Sequence, residues 1–306
     1  MGSLVLAAIV AGALLRYADR YATNDEFADQ FRGWVAVAVL SLGIWSALFT
    51  RGLSTVHEFR RMWPRGRVWW TWHFGAYALL VASVLAMLTL NNAGEKIVVP
   101  IDGFPTITRT LVLVAATAAA PWVLTVWLAH EQLRILRAEV DKVRPPELIE
   151  ELTVDKLDGA AISAAVTHSL AVWKVIERCT LSLALLVSTA VFLSGALRLA
   201  LINSRALADD VFPASAVLSY GAFFAAVLAL AVVPLVLAWR SHAFRLVEAA
   251  LGEPRHGIPD QTWLDGRERL EARLRLDTNV LRSPITAVSV ASPLVTAVLA
   301  ALVPNA

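Results

Sequence analysis

The stretch RTLVLVAATAAAPWVLTVWLAHEQLRILRAEVDKV, Arg109–Val143, decides the fold class. From Leu111 to Leu128 it carries no charge, and about 18 residues at 1.5 Å each are enough to cross a hydrocarbon layer. At His130 and Glu131 the pattern changes but does not stop. Leu133, Leu136, Val140 and Val143 recur at steps of three, four and three with charges between them, a narrow apolar stripe on an otherwise polar helix. One helix is therefore expected to be solvated by lipid along its first half. Its second half is a polar arm whose stripe needs something to pack against.

Composition agrees with that reading. The 306 residues are 58% hydrophobic and 17% charged, with mean hydropathy +0.62. Ordinary soluble domains are nearer half apolar and a quarter charged. The excess lies in long runs, which marks a membrane protein over a greasy soluble core. A net charge of +2 is too mild to point to nucleic acid. The single cysteine, Cys179, rules out an intrachain disulfide or a CxxC site. Only four of the 27 basic residues are lysine, and this arginine- and alanine-rich usage fits a high-GC bacterial chain.

Working outward from that stretch gives an all-α, polytopic membrane helix bundle with cytoplasmic helical extensions. It has about seven spans, or six if residues 3–15 do not cross. Residues 3–15 read as a short uncleaved span. Tyr17 to Arg32 reads as a separate interfacial helix capped by Asn24, with Phe27 and Phe31 on one face. Trp34–Thr50 is the second span. Arg51–Arg67 is a basic loop that belongs on the cytoplasmic side, and Trp69, Trp70 and Trp72 anchor the third span, Thr71–Leu90. Residues 91–108 are punctuated by Pro100, Asp102-Gly103 and Pro105 like a β-hairpin. Pro145-Pro146 ends the fourth helix.

A second amphipathic arm, with Ile162, Val166, Leu170 and Trp173 on one face, leads into the fifth span, Thr180–Ile202. The two arms flank the Pro-Pro break as an antiparallel hairpin. Phe212–Trp239 is the sixth span. Its helix continues to Gly252, and a further helix follows, capped by Thr262 with Asp265. Ile285–Val303 closes the chain. In segments, 1–130 holds spans one to four, 131–179 the cytoplasmic hairpin, 180–239 spans five and six, 240–283 a cytoplasmic helical segment and 284–306 the last span. Alternation and the basic loops place the amino terminus in the cytoplasm and the protein in a bacterial plasma membrane.

The residues with most chemistry are histidines near the inner boundary: His73, His130, His168 and His242, with His57 beside them. Paired imidazoles can hold haem or a metal, or titrate near neutrality. No two have the i,i+4 ligand spacing, and interfacial histidine beside tryptophan is the simpler reading. No cofactor is therefore expected, with haem or metal kept as the lesser alternative at these four positions. Trp127-x-x-His130 and Trp239-x-x-His242 echo one another, each with a proline, Pro121 or Pro234, five or six residues upstream. They hint at related hairpins.

Arg198 is the one charge well inside a run, near enough to an end to snorkel. Ser188, Thr189 and Ser194 read as helix-packing residues over a pore lining. No nucleotide loop or nucleophile elbow is present. The sequence thus favours a non-enzymatic scaffold, sensor or effector. Its partners would be the lipid bilayer and, through the helical arms, a cytoplasmic protein or a second copy of itself, with no nucleic acid. The alternative is a channel or small-solute transporter with spans three to six lining the path. A haem-binding electron carrier ranks below both.

Overall fold

The computed structural model describes residues 25–64, 99–101, 104–143, 159–208, 211–252, 258–276 and 291–298, with isolated positions in 9–20 and 71–82. The proposed spans at 3–15 and 71–90, the hairpin residues 91–98, the Pro145-Pro146 break and His73 lie outside the described residues or touch them only at single positions. Five helices carry the described chain: α1 (Asp25–Met62), α2 (Phe104–Val143), α3 (Gly159–Asn203), α4 (Ala214–Leu251) and α5 (Gln261–Arg273). Residues 291–298 are also helical, and no strand occurs among the described residues.

α1 to α4 are each long and apolar enough to cross a membrane. Their 38, 40, 45 and 38 residues correspond to about 57–68 Å of helix. A bilayer core takes about 20 residues. Roughly half of each helix is therefore left over. Pro121 and Pro234 sit inside α2 and α4 without ending them, as membrane-type helices tolerate.

Three boundaries differ from the sequence reading. Residues 25–32, read as part of a separate interfacial helix, are the first two turns of α1. Phe27 and Phe31 are fully buried and do not lie on a lipid surface. The basic loop after span two is helical as far as Met62, since nothing in Arg51–Met62 breaks a helix. Residues 104–108, assigned to the hairpin, open α2 with Pro105 at its second position, where a proline lacks no needed donor.

The chain divides into two compact units, one of Met1–Leu124, Ser182–Leu228 and Ser289–Ala306, the other of Thr125–Leu181 and Ala229–Val288. In the first unit the core is aromatic at one end. Phe31 stacks on Trp34 with centroids 4.7 Å apart, and Phe104 meets both rings, at 6.2 and 5.5 Å. Further along α1, Gly52 lies against α2 so closely that a Cβ would sit 2.6 Å from Cγ of Pro121. Trp122 Nε1 then donates to the Leu48 carbonyl at 3.0 Å.

The small polar residues of α3 join helices. Trp45 Nε1 donates to Thr189 Oγ1 at 2.8 Å, and Ser188 Oγ donates to Ser292 Oγ at 3.0 Å. Gly221 of α4 admits Ala297 and Pro293 in the same close fashion as Gly52 admits Pro121. Small residues and interhelical hydrogen bonds are the means of association available where no water is squeezed out. Arg198 does not snorkel. It is buried, and its Nε donates to the Phe212 carbonyl at 2.9 Å, across the turn between α3 and α4.

In the second unit the stripe on α2 is buried at Leu133, Leu136 and Val140. On α3, Val166 and Trp173 are buried while Ile162 and Leu170 are half-buried. On α4 the buried positions are Val232, Leu235, Val236, Trp239, His242, Ala243, Leu246 and Val247, a 3-4 repeat over more than four turns. Arg137 ties α2 to α4 with an Nη2 hydrogen bond to the Ala238 carbonyl at 2.8 Å. α4 stops at Gly252, whose φ of +64° only glycine adopts without cost.

α5 is capped by Asp260, not by Thr262. Asp260 Oδ1 accepts from the Trp263 backbone N–H at 2.7 Å, and Asp265 is held by Gln261. No residue of α5 is fully buried; the chain is anchored just past it by Leu274 and Leu276 and by the Arg275–Glu177 ion pair at 2.7 Å.

The unit's surface changes character along its helices. Large exposed apolar side chains end at Trp127 on α2, begin at Leu181 on α3 and end at Leu237 on α4. Beyond those points, exposed positions on the same helices are polar, charged or alanine.

Candidate functional site

Of the four histidine candidates, His130 and His168 are exposed and His242 is buried, while His73 falls outside the described residues; His57 is exposed. No pair of them meets at a common point among the contacts described. Nor do three His, Cys, Asp or Glu side chains converge among the described residues.

The buried His242 has an environment that can be followed atom by atom. It sits three residues after Trp239 in the buried stripe of α4, so both side chains leave the helix on one face. Opposite them on α3 is Ser169, fully buried. Ser169 Oγ lies 2.8 Å from the Ala165 carbonyl and 2.8 Å from His242 Nε2. A hydroxyl has one proton, and the Ala165 carbonyl can only accept it. Oγ therefore accepts from His242, which places a proton on Nε2. The Ser169 carbonyl takes the Trp239 indole N–H at 3.4 Å. The Trp173 ring packs on Trp239 with centroids 4.3 Å apart.

Histidine and serine left in an apolar interior without partners would cost about 1–3 kcal/mol each, and the Ser169–His242 hydrogen bond offsets part of that cost. A serine hydroxyl 2.8 Å from an imidazole is also the spacing of a nucleophile and its base. Here the hydroxyl proton is turned to the Ala165 carbonyl, and 0% and 1% exposure leave a substrate no approach. The arrangement joins α3 to α4 through polar atoms at a defined register.

Sequence reasoning named His168 and missed its neighbour Ser169. The signal was present. Ser169 is three residues after Val166 and four before Trp173, on the stripe, whereas His168 is off it. Cys179, further along the same face, is buried with the Thr125 side chain as hydrogen-bond partner. In the first unit, Glu26, Asp29, Gln30, Asn203 and Arg205 line a shallow polar depression with charges of both signs.

No family model, curated protein or solved structure matches the chain.

Proposed function

We propose that the protein is a multi-pass membrane protein with a non-enzymatic role, a scaffold, sensor or effector that works through helices on the cytoplasmic side. In this reading seven spans cross a bacterial plasma membrane and the amino terminus is cytoplasmic. The observation that carries it is the second unit. Its helices keep an ordered, buried stripe (Leu133, Leu136, Val140, Val166, Trp173, Trp239, Val247) well past the last exposed apolar side chains. Helices that only had to cross lipid would gain nothing from such a stripe. Ser188 and Thr189 support packing over transport, since their hydroxyls are engaged between helices. The part left for a partner is α5 with its approach, where Ile258 and Leu264 are exposed.

The test is site-specific photocrosslinking in native membranes. A probe at Ile258 or Leu264 should give one discrete adduct, to a protein or to a second copy, that a probe at exposed Val211 does not give. Absence of any adduct, a monomer in detergent and solute flux in proteoliposomes would together replace this reading with the transport one.

A further inference from the structure

The surface just past the apolar band of the second unit is one-sidedly basic. On α2 the last exposed apolar residue is Trp127, and Arg134 follows it; on α3, Lys174 and Arg178 precede Leu181; on α4, Arg240 and Arg245 follow Leu237. All five cations fall within eight residues of the band, about 12 Å of helix. Four are exposed and Arg240 is half-exposed, lying over the Phe244 ring at 5.6 Å. Over the same span the carboxylates are Glu131 and Glu177, both half-buried, and Glu177 is answered by Arg275 at 2.7 Å. At the opposite ends the start of α1 has Glu26 and Asp29 with Arg32, the start of α2 has Arg109, the end of α3 has the buried Arg198 and the exposed Arg205, and the start of α4 has no charge, so the exposed cations there are fewer and Arg32 is paired with Asp29 at 3.5 Å.

Five long cationic side chains beside a lipid-compatible band sit at the depth of phosphate headgroups. Their aliphatic stems can lie on the band while their charged ends reach outward. We propose that this collar binds the headgroups of anionic phospholipids in the cytoplasmic leaflet, through Arg134, Lys174, Arg178, Arg240 and Arg245. The inference rests on the membrane reading above and adds the lipid class and the residues that select it. The ligand is a lipid and not free phosphate because the cations share one boundary with exposed Trp127, Leu181 and Leu237, which give acyl chains a surface and inorganic phosphate nothing. Attraction of this kind is worth about fivefold in affinity per cation near the surface and fades with salt.

The experiment reconstitutes the full chain in phosphatidylcholine alone or mixed with phosphatidylglycerol. It reads the phosphatidylglycerol retained through delipidation by native mass spectrometry, and the unfolding temperature. Wild type should retain phosphatidylglycerol over phosphatidylcholine and unfold at a higher temperature in the mixture, with both effects lost at high salt. The variant Arg134→Gln/Lys174→Gln/Arg178→Gln/Arg245→Gln should lose the preference. Arg109→Gln/Arg205→Gln, at the far ends of α2 and α3, should keep it. Equal retention of the two lipids by wild type overturns the proposal, as does unchanged preference in the fourfold variant. If that variant does not fold, the salt dependence of wild type decides. Inorganic phosphate competing away the retained lipid at millimolar concentration would also overturn it. Failure of the membrane reading shows separately, as a chain that alkaline carbonate strips from membranes.

Discussion

Trp127-x-x-His130 on α2 and Trp239-x-x-His242 on α4 are the same four-residue pattern at the end of an apolar run, and their surroundings are opposite. Trp127 is 47% exposed and His130 is exposed, whereas Trp239 and His242 are each 1% exposed. In both cases the spacing puts the two side chains on one face. What differs is the direction in which that face points. On α2 the buried stripe runs through Leu124, Leu128, Gln132, Leu133 and Leu136, and the pair lies off it. On α4 the pair is the stripe. A motif shared at this level marks the end of an apolar run and does not mark equivalent sites, so the echo gives no support to a hairpin repeat.

The largest test of this contrast is Trp239→Ala. Removing a fully buried indole that packs on Trp173 should cost about 3–5 kcal/mol of stability. Trp127→Ala should cost little, because its ring faces outward. Denaturant titration of both variants in the same detergent measures the difference, and equal losses would erase the distinction. A companion measurement uses brominated lipid, which should quench single-Trp127 protein strongly and single-Trp239 protein weakly.

Ser169→Ala comes next. It leaves the buried His242 N–H without its acceptor and should cost about 1–3 kcal/mol. Replacing Ser169 and His242 together by Ala and Leu should recover part of that loss, because both polar atoms then leave the interior. If the double replacement is no better than the single one, the hydrogen bond is not what makes the serine necessary. Arg275→Gln breaks a pair whose members are 58% and 26% exposed, and should cost no more than about 1 kcal/mol, less at high salt. His130→Ala should change stability by about 0.5 kcal/mol or less. A larger effect would mean that the α2 pair has a role its exposure does not reveal.

How much was legible varied with how local the cause is. The continuation of α2 from an apolar run into a 3-4-3 stripe is written in consecutive residues, and α2 does run unbroken from Phe104 to Val143. The same holds for α3, whose amphipathic arm leads straight into its span, and for the stop of α4 at Gly252. The errors arose where polarity was read as a boundary. Residues 25–32 and 51–62 are polar enough to resemble an interfacial segment and a loop, yet they contain no residue that breaks a helix, so α1 runs through both. The proline of 104–108 looked like punctuation, but at the second position of a helix it starts one. The candidate site was half legible. His242 was named from its type, and Ser169, which offsets part of the cost of burying it, was passed over in favour of the adjacent exposed His168.

The sequence by itself determined that this chain forms long apolar helices and that two of them, α2 and α3, carry an apolar stripe beyond their uncharged runs. Both follow from the spacing of side chains along a single helix, which needs no neighbour to define it. Only the tertiary structure decided which of two identical patterns turns inward, which serine meets the buried imidazole, and that Gly52 of α1 lies against Pro121 of α2. Those outcomes depend on how far each helix is rotated about its axis and on what faces it, and close packing between helices sets both.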